Sequence, residues 1–116
     1  MTLEDLSRLA FRGRLEQAEA EVFCQQERIT HAVFLDQFAQ YIVKGYVDGC
    51  FTYMACDTAV RSMVDIMIQF REFPDYAYGV FLAFDAGEDN PHSKYLTPDQ
   101  ITRPLISTLL AKQPSS

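Results

Sequence analysis

Apolar residues return at intervals of three and four along almost the whole chain, and most of these runs are preceded by a residue that starts helices. That combination restricts the fold more than any other feature, because a three-to-four period makes one face of a helix, whereas a half-buried strand alternates every second residue. Thr2 is a helix cap with Asp5 three residues on, and Leu3, Leu6 and Ala10 share a face beyond it. Gly13 marks a change of phase, and Phe11, Leu15, Ala18 and Val22 keep helical spacing across it and predict a helix kinked or broken near Gly13. Ala18, Ala20, Val22 and Cys24 also alternate, but Ala and Glu favour helix over strand. Thr30 opens a third segment with the stripe Phe34, Leu35, Phe38, Tyr41 and Ile42, stopped by Lys44-Gly45.

From Gly49 to Phe70 the residues Phe51, Ala55, Ala59, Met63, Ile66 and Phe70 predict helix, with a break at Cys56-Asp57 as a variant because Asp57 can cap a new start. Pro74 and Asp75 suit the first turn of the next helix, in which Tyr76, Val80, Phe81 and Phe84 share a face and Ala77 and Ala83 extend the apolar character, so it belongs near the centre. Gly87 closes it. Thr97-Pro98-Asp99-Gln100 combines a cap, proline at the first helical position and glutamine at the capping-box position. Ile101, Leu105 and Leu109 are the expected buried stripe of this last helix, kinked at Pro104. The expected fold is all-α: one compact domain of five or six helices over residues 1–112, with 113–116 as a frayed tail. At 116 residues, the area scaling buries roughly two thirds of the chain's surface, enough for one core without disulfides.

Composition excludes several classes of function. Ten Lys and Arg face sixteen Asp and Glu, a formal charge of −6, so duplex DNA, RNA and anionic lipid are poor partners and a basic protein surface is a good one. No apolar run approaches the roughly 20 residues that span a bilayer. Glu4 and Asp5 stand where an export signal carries positive charge, and Cys24, Cys50 and Cys56 form an odd set without a C-x-x-C pair, so a reducing, cytoplasmic location is expected. His31 and His92 belong to no recognisable triad, there is no Glu-x-x-His pair for a di-iron site, and Gly45 and Gly49 lack the Lys-Ser/Thr of a phosphate loop. A helix-turn-helix reader needs a basic recognition helix, and the stretch around Arg61 also carries Asp57 and Asp65. The expectation is a protein without catalytic residues, cofactor or metal.

The acidity is local. Glu72, Asp75, Asp85, Glu88 and Asp89 fall between Arg71 and Lys94, where there is no Lys or Arg. Glu72 and Asp75 sit where a helix N-terminus favours acid, but Asp85, Glu88 and Asp89 lie at or past a C-terminus, where the dipole disfavours each by roughly 0.3–1 kcal/mol. Either Lys94 and Arg103 compensate them internally, or a basic partner does; Asp85, Glu88, Asp89 and Asn90 lack the alternate spacing of a calcium loop. These three carboxylates are the candidate partner-binding residues.

The run Pro74-Asp75-Tyr76-Ala77-Tyr78-Gly79-Val80-Phe81-Leu82-Ala83-Phe84-Asp85-Ala86-Gly87-Glu88, with Tyr95 and then Thr102-Arg103-Pro104-Leu105-Ile106, resembles small helical immunity proteins encoded beside bacterial polymorphic and contact-dependent toxins. Gly45-Tyr46-Val47 and Cys56-Asp57 add to the resemblance, which covers about two thirds of the chain and none of its first thirty residues. It implies a cytoplasmic antidote that binds one cognate toxin and blocks its active site or substrate groove, and it supplies no catalytic residues. The alternative class is a structural or oligomerisation module, in which a homodimer buries Tyr and Phe.

Overall fold

The computed structural model describes residues 1–88 and 97–110, which form six helices: α1 (Leu3–Phe11), α2 (Gln17–Glu27), α3 (His31–Val47), α4 (Tyr53–Phe70), α5 (Asp75–Glu88) and α6 (Pro98–Leu110). The fold is a compact, single-domain, all-α bundle, and the described residues contain no strand. Helix α5 lies against α3, α4 and α6, whereas α1 and α2 pack on α3 and α4. The frayed tail expected at 113–116 lies outside the described residues.

Three helix starts follow directly from local chemistry. The Thr2 hydroxyl accepts from the Asp5 amide at 3.2 Å while the Asp5 carboxylate accepts from the Thr2 amide at 2.9 Å, and that hydrogen bond holds Asp5 below the usual carboxylate range. Thr97 and Gln100 repeat the exchange at the start of α6, at 3.2 and 2.9 Å. Thr30 caps α3 through the Val33 amide. The start of α5 is different, because Pro74 has no side chain that can accept. Asp36 of α3 takes that role from a distance, accepting from the Ala77 amide at 3.2 Å, and its partial burial pushes its carboxyl up.

The core joins Phe34, Phe38, Ile42 and Tyr46 of α3 to Cys56, Val60, Met63 and Met67 of α4 and to Ala77, Val80 and Phe84 of α5, all buried. Tyr46 and Phe84 meet edge to face at 5.1 Å, and Tyr53 joins Phe84 at 5.4 Å. These contacts place α5 near the centre, as its apolar composition predicts.

Four expectations are corrected. Helix α2 begins afresh at Gln17, after Gly13 adopts a φ of +66°, so the phase running from Phe11 is lost; Ala20, Phe23 and Cys24 are buried and Ala18 and Val22 are exposed. Lys44-Gly45 does not stop α3, which runs on to Val47 and ends before Gly49 at φ +79°. Gly45 instead admits the ring of Phe51, whose Cε2 would lie 2.1 Å from an added Cβ. The helix expected up to Phe70 forms as α4, capped by Thr52 and without the variant break at Cys56-Asp57, because the buried Cys56, Ala59, Val60 and Met63 form one uninterrupted face.

The last two corrections concern the α5–α6 pair. Gly87 does not close α5; it lies inside the helix and allows α6 to approach. A Cβ there would meet Thr102 Oγ1 at 2.3 Å, the Pro98 carbonyl oxygen at 2.7 Å and the Tyr53 hydroxyl at 2.7 Å. Helix α6 accordingly buries Thr102 and Ile106, while Leu105 is exposed and Ile101 and Leu109 are half-buried. The face is rotated from the one expected because Thr102 is the residue that fits against Gly87. Gly87→Ala should therefore destabilise the fold by at least about 2 kcal/mol despite alanine's better helix propensity, since one obstructing atom is backbone and cannot swing aside. Chemical denaturation checks this, and an unchanged midpoint would contradict it.

Candidate functional site

Helices α5 and α6 run antiparallel, and their two ends behave differently. At the Gly87 end, the buried Thr102 hydroxyl donates to the Ala83 carbonyl at 2.8 Å, and the Tyr53 hydroxyl donates to the Phe84 carbonyl at 2.6 Å. The buried Tyr46 hydroxyl donates to the Asp99 carboxylate, which also accepts from Arg103 at 3.2 Å, and the Arg103 guanidinium lies 4.7 Å over the Tyr46 ring. The first half of α6 is thus fastened to α3, α4 and α5 together.

At the other end lies an open groove. Gly79, Leu82 and Ala83 of α5 and Leu105, Thr108 and Leu109 of α6 line a cavity of about 230 Å³. Leu82 is 46% exposed and Leu105 42%. The exposed rings of Phe73 and Tyr78 meet nearly perpendicular at 6.2 Å, and Tyr78 continues to Phe81 at 5.9 Å. Single exposed apolar side chains are ordinary; a continuous row of them beside a groove is the usual mark of an interaction surface.

Tyr78, Leu82 and Asp85 follow one another at +4 and +3 on α5, so they share its outer stripe, and Asp85, one turn beyond Leu82, stands on the flank that faces α4. Its carboxylate is 3.7 Å from the Arg61 guanidinium, with 42% of the Asp85 side chain exposed. Arg61 also reaches Asp57, at 3.3 Å, and so divides its charge between two acids. The internal partner expected for Asp85 was Lys94 or Arg103. Arg103 is instead engaged by Asp99, and Lys94 lies outside the described residues. A long, half-exposed ion pair contributes well under about 1 kcal/mol, so Arg61 holds Asp85 only loosely. Of the other two candidates, Glu88 contributes the last backbone turn of α5, and Asp89 lies outside the described residues.

The thiols and the described histidine form no comparable centre. Cys24 and Cys56 are buried, and desolvation, with Glu21 and Asp57 respectively adding to it, pushes both thiols up, Cys56 to about 12. Each is therefore held as a thiol at neutral pH, the weaker nucleophilic form. His31 stacks on Phe70 with centroids 3.7 Å apart and presents Nε2 to Glu21 at 3.1 Å. Glu21, Cys24, His31 and Glu72 share a shallow cavity between α2 and α3, yet the described residues hold no group of three or more His, Cys, Asp or Glu placed to bind a metal ion. His92 lies outside the described residues. No described helix is long and apolar enough to cross a membrane.

No family model, curated protein or solved structure matches the chain.

Sequence reasoning missed the groove. It assigned Leu105 and Leu109 to a buried stripe and left Leu82 unassigned. The available signal was the surplus of apolar residues on α5, too many for one buried face, with Gly79 in the helix interior. The α6 fastening also has a pH signature. The Tyr46 hydrogen bond first, and Arg103 second, hold the Asp99 carboxyl below the usual range. A depressed carboxyl contributes stability that is fully present above its unfolded value of about 3.9 and is lost as pH falls through the folded value. Tyr46→Phe should cost about 1 kcal/mol at pH 7, and the difference from the native chain should shrink as the solution is taken below pH ~3.9. Denaturation midpoints of both chains across that range test it; a gap independent of pH would contradict the assignment.

Proposed function

We propose that this chain is a non-catalytic protein-binding domain that receives a partner with a basic surface on its α5–α6 face, and that it serves as a cytoplasmic immunity protein neutralising a cognate toxin. The observation that carries the binding reading is the exposed apolar groove between α5 and α6, whose wall residue Leu82 stands one turn from the half-exposed Asp85 on the outer stripe of α5. Protein interfaces have this anatomy, an apolar centre supplying affinity and a charged rim supplying orientation and association rate. Glu88 and Asp89 follow Asp85 in the sequence as further acids. The resemblance to immunity proteins supports the more specific role, since the segments that carry it, 74–88 and 102–106, belong to the two helices that form the groove. Where the toxin is a nuclease, an acidic rim would compete for the basic surface that otherwise holds phosphate.

Self-association is the second reading, favoured by the exposed Phe73–Tyr78 pair. Under it, the free chain dimerises at micromolar concentration in sedimentation equilibrium and binds no neighbouring gene product. Under the proposal, the chain copurifies with a basic toxin domain coexpressed from the adjacent gene. Replacing Asp85, Glu88 and Asp89 by lysine should then slow association by about tenfold at low salt and flatten its salt dependence, leaving the thermal midpoint close to the native one. Unchanged association kinetics would remove the acidic segment from the interface.

A further inference from the structure

We infer that α2 is a strap that releases from α3 and α4 as a unit while the helices beneath it stay folded, and that this opening is what uncovers the Cys24 thiol. A helix opens on its own when few buried side chains hold it, and α2 is held by few. Of its eleven residues only Ala20, Phe23 and Cys24 are buried, against eight of seventeen in α3. No partly buried apolar residue of α2 adds to the core, whereas Leu3, Leu9 and Phe11 of α1 all do.

The seat of α2 is also undercut on both flanks. On one, Phe23, Gln26 and Glu27 share a cleft of about 430 Å³ with Leu3 of α1 and Gln37 of α3. On the other, Glu21, Cys24 and Gln25 share one of about 410 Å³ with His31 and Glu72. Between the clefts the anchor is Phe23, whose ring packs on Phe34 with centroids 5.6 Å apart. A seam open on both sides lacks the dispersion contacts that a closed one makes.

Both ends of α2 are points where the chain turns. Gly13 before it takes a φ of +66°, and Arg28 after it takes +56°, a left-handed conformation that favours glycine. Glu16 at the N-cap makes no side-chain hydrogen bond, unlike Thr2, Thr30 and Thr52 at the starts of α1, α3 and α4. The remaining ties are at the surface. Gln26 donates to the Met1 carbonyl at 2.9 Å in an exposed position, and His31 Nε2 meets Glu21 at 3.1 Å between side chains about a third exposed. Water replaces such contacts at little cost.

Releasing α2 breaks the Phe23–Phe34 contact and exposes Cys24, while Phe34 keeps Phe38 beside it at 5.9 Å. Cys56 is different. It lies on the face of α4 that carries Ala59, Val60 and Met63 into the core, so it is uncovered only when the bundle itself opens. The two buried thiols therefore report two separate openings.

The test replaces the exposed Cys50 by serine and labels the other two thiols of the folded chain with N-ethylmaleimide, each rate being divided by its value in the urea-unfolded chain. Cys24 should react at least about a hundredfold faster than Cys56, with a dependence on urea shallower than that of Cys56 but above zero. In amide exchange, α2 should open together and ahead of α3 and α4. Phe23→Leu should speed the labelling of Cys24 about fivefold and leave that of Cys56 unchanged. Equal rates at Cys24 and Cys56, or a Phe23→Leu effect shared by both, would mean that α2 opens only with the whole bundle and would overturn the inference. A Cys24 rate independent of urea would overturn it as well, since that marks a fluctuation around the thiol with no helix released.

Discussion

Everything distinctive about this structure depends on how closely α5 and α6 approach at Gly87. The absent side chain there lets the Thr102 hydroxyl reach the Ala83 carbonyl and brings Pro98 against α5. Tyr53, from α4, donates to the Phe84 carbonyl in the same place. Once Thr102 is fixed, the helical period determines the rest of α6: Ile106 turns into the core, and Leu105 and Leu109 turn towards α5 at the surface. The groove is the consequence of a close contact two turns away from it.

The same geometry separates stability from recognition. The fastened half of α6 uses the buried Tyr46, a buried threonine and the Asp99–Arg103 pair, groups whose hydrogen bonds are made within the chain. The open half exposes leucines whose contacts are incomplete. Filling the open half would bury apolar surface. The fastened half gains nothing comparable from a partner, because its polar groups are already paired.

Helix existence was legible in the sequence because its determinants are local. Thr2, Thr30 and Thr97 act within four residues of themselves, and the structure shows their caps in place. Helix rotation was less legible, since periodicity identifies an apolar face but cannot choose between two. In α5 both faces are apolar, and in α6 the decisive residue is a threonine, which a hydrophobicity pattern passes over. Glycines misled for a related reason: Gly45 and Gly87 look like helix stops in sequence, whereas each makes room for a residue from elsewhere, Phe51 and Thr102. Asp36 capping α5 and Arg61 reaching Asp85 join separate helices, so nothing in their local sequence announces them. The acidic candidate Asp85 was found by charge placement alone; its apolar neighbours came into view only with the packing.

The central claim is that the outer face of α5 and α6 is where this protein meets its partner. Amide hydrogen exchange on the chain, alone and mixed with the toxin domain that the proposed function expects as its partner, tests it most directly. The account predicts new protection concentrated in residues 75–88 and 98–110, with α1 and α2 exchanging as in the free chain. Protection confined to α1 and α2, with α5 and α6 unchanged, would contradict it.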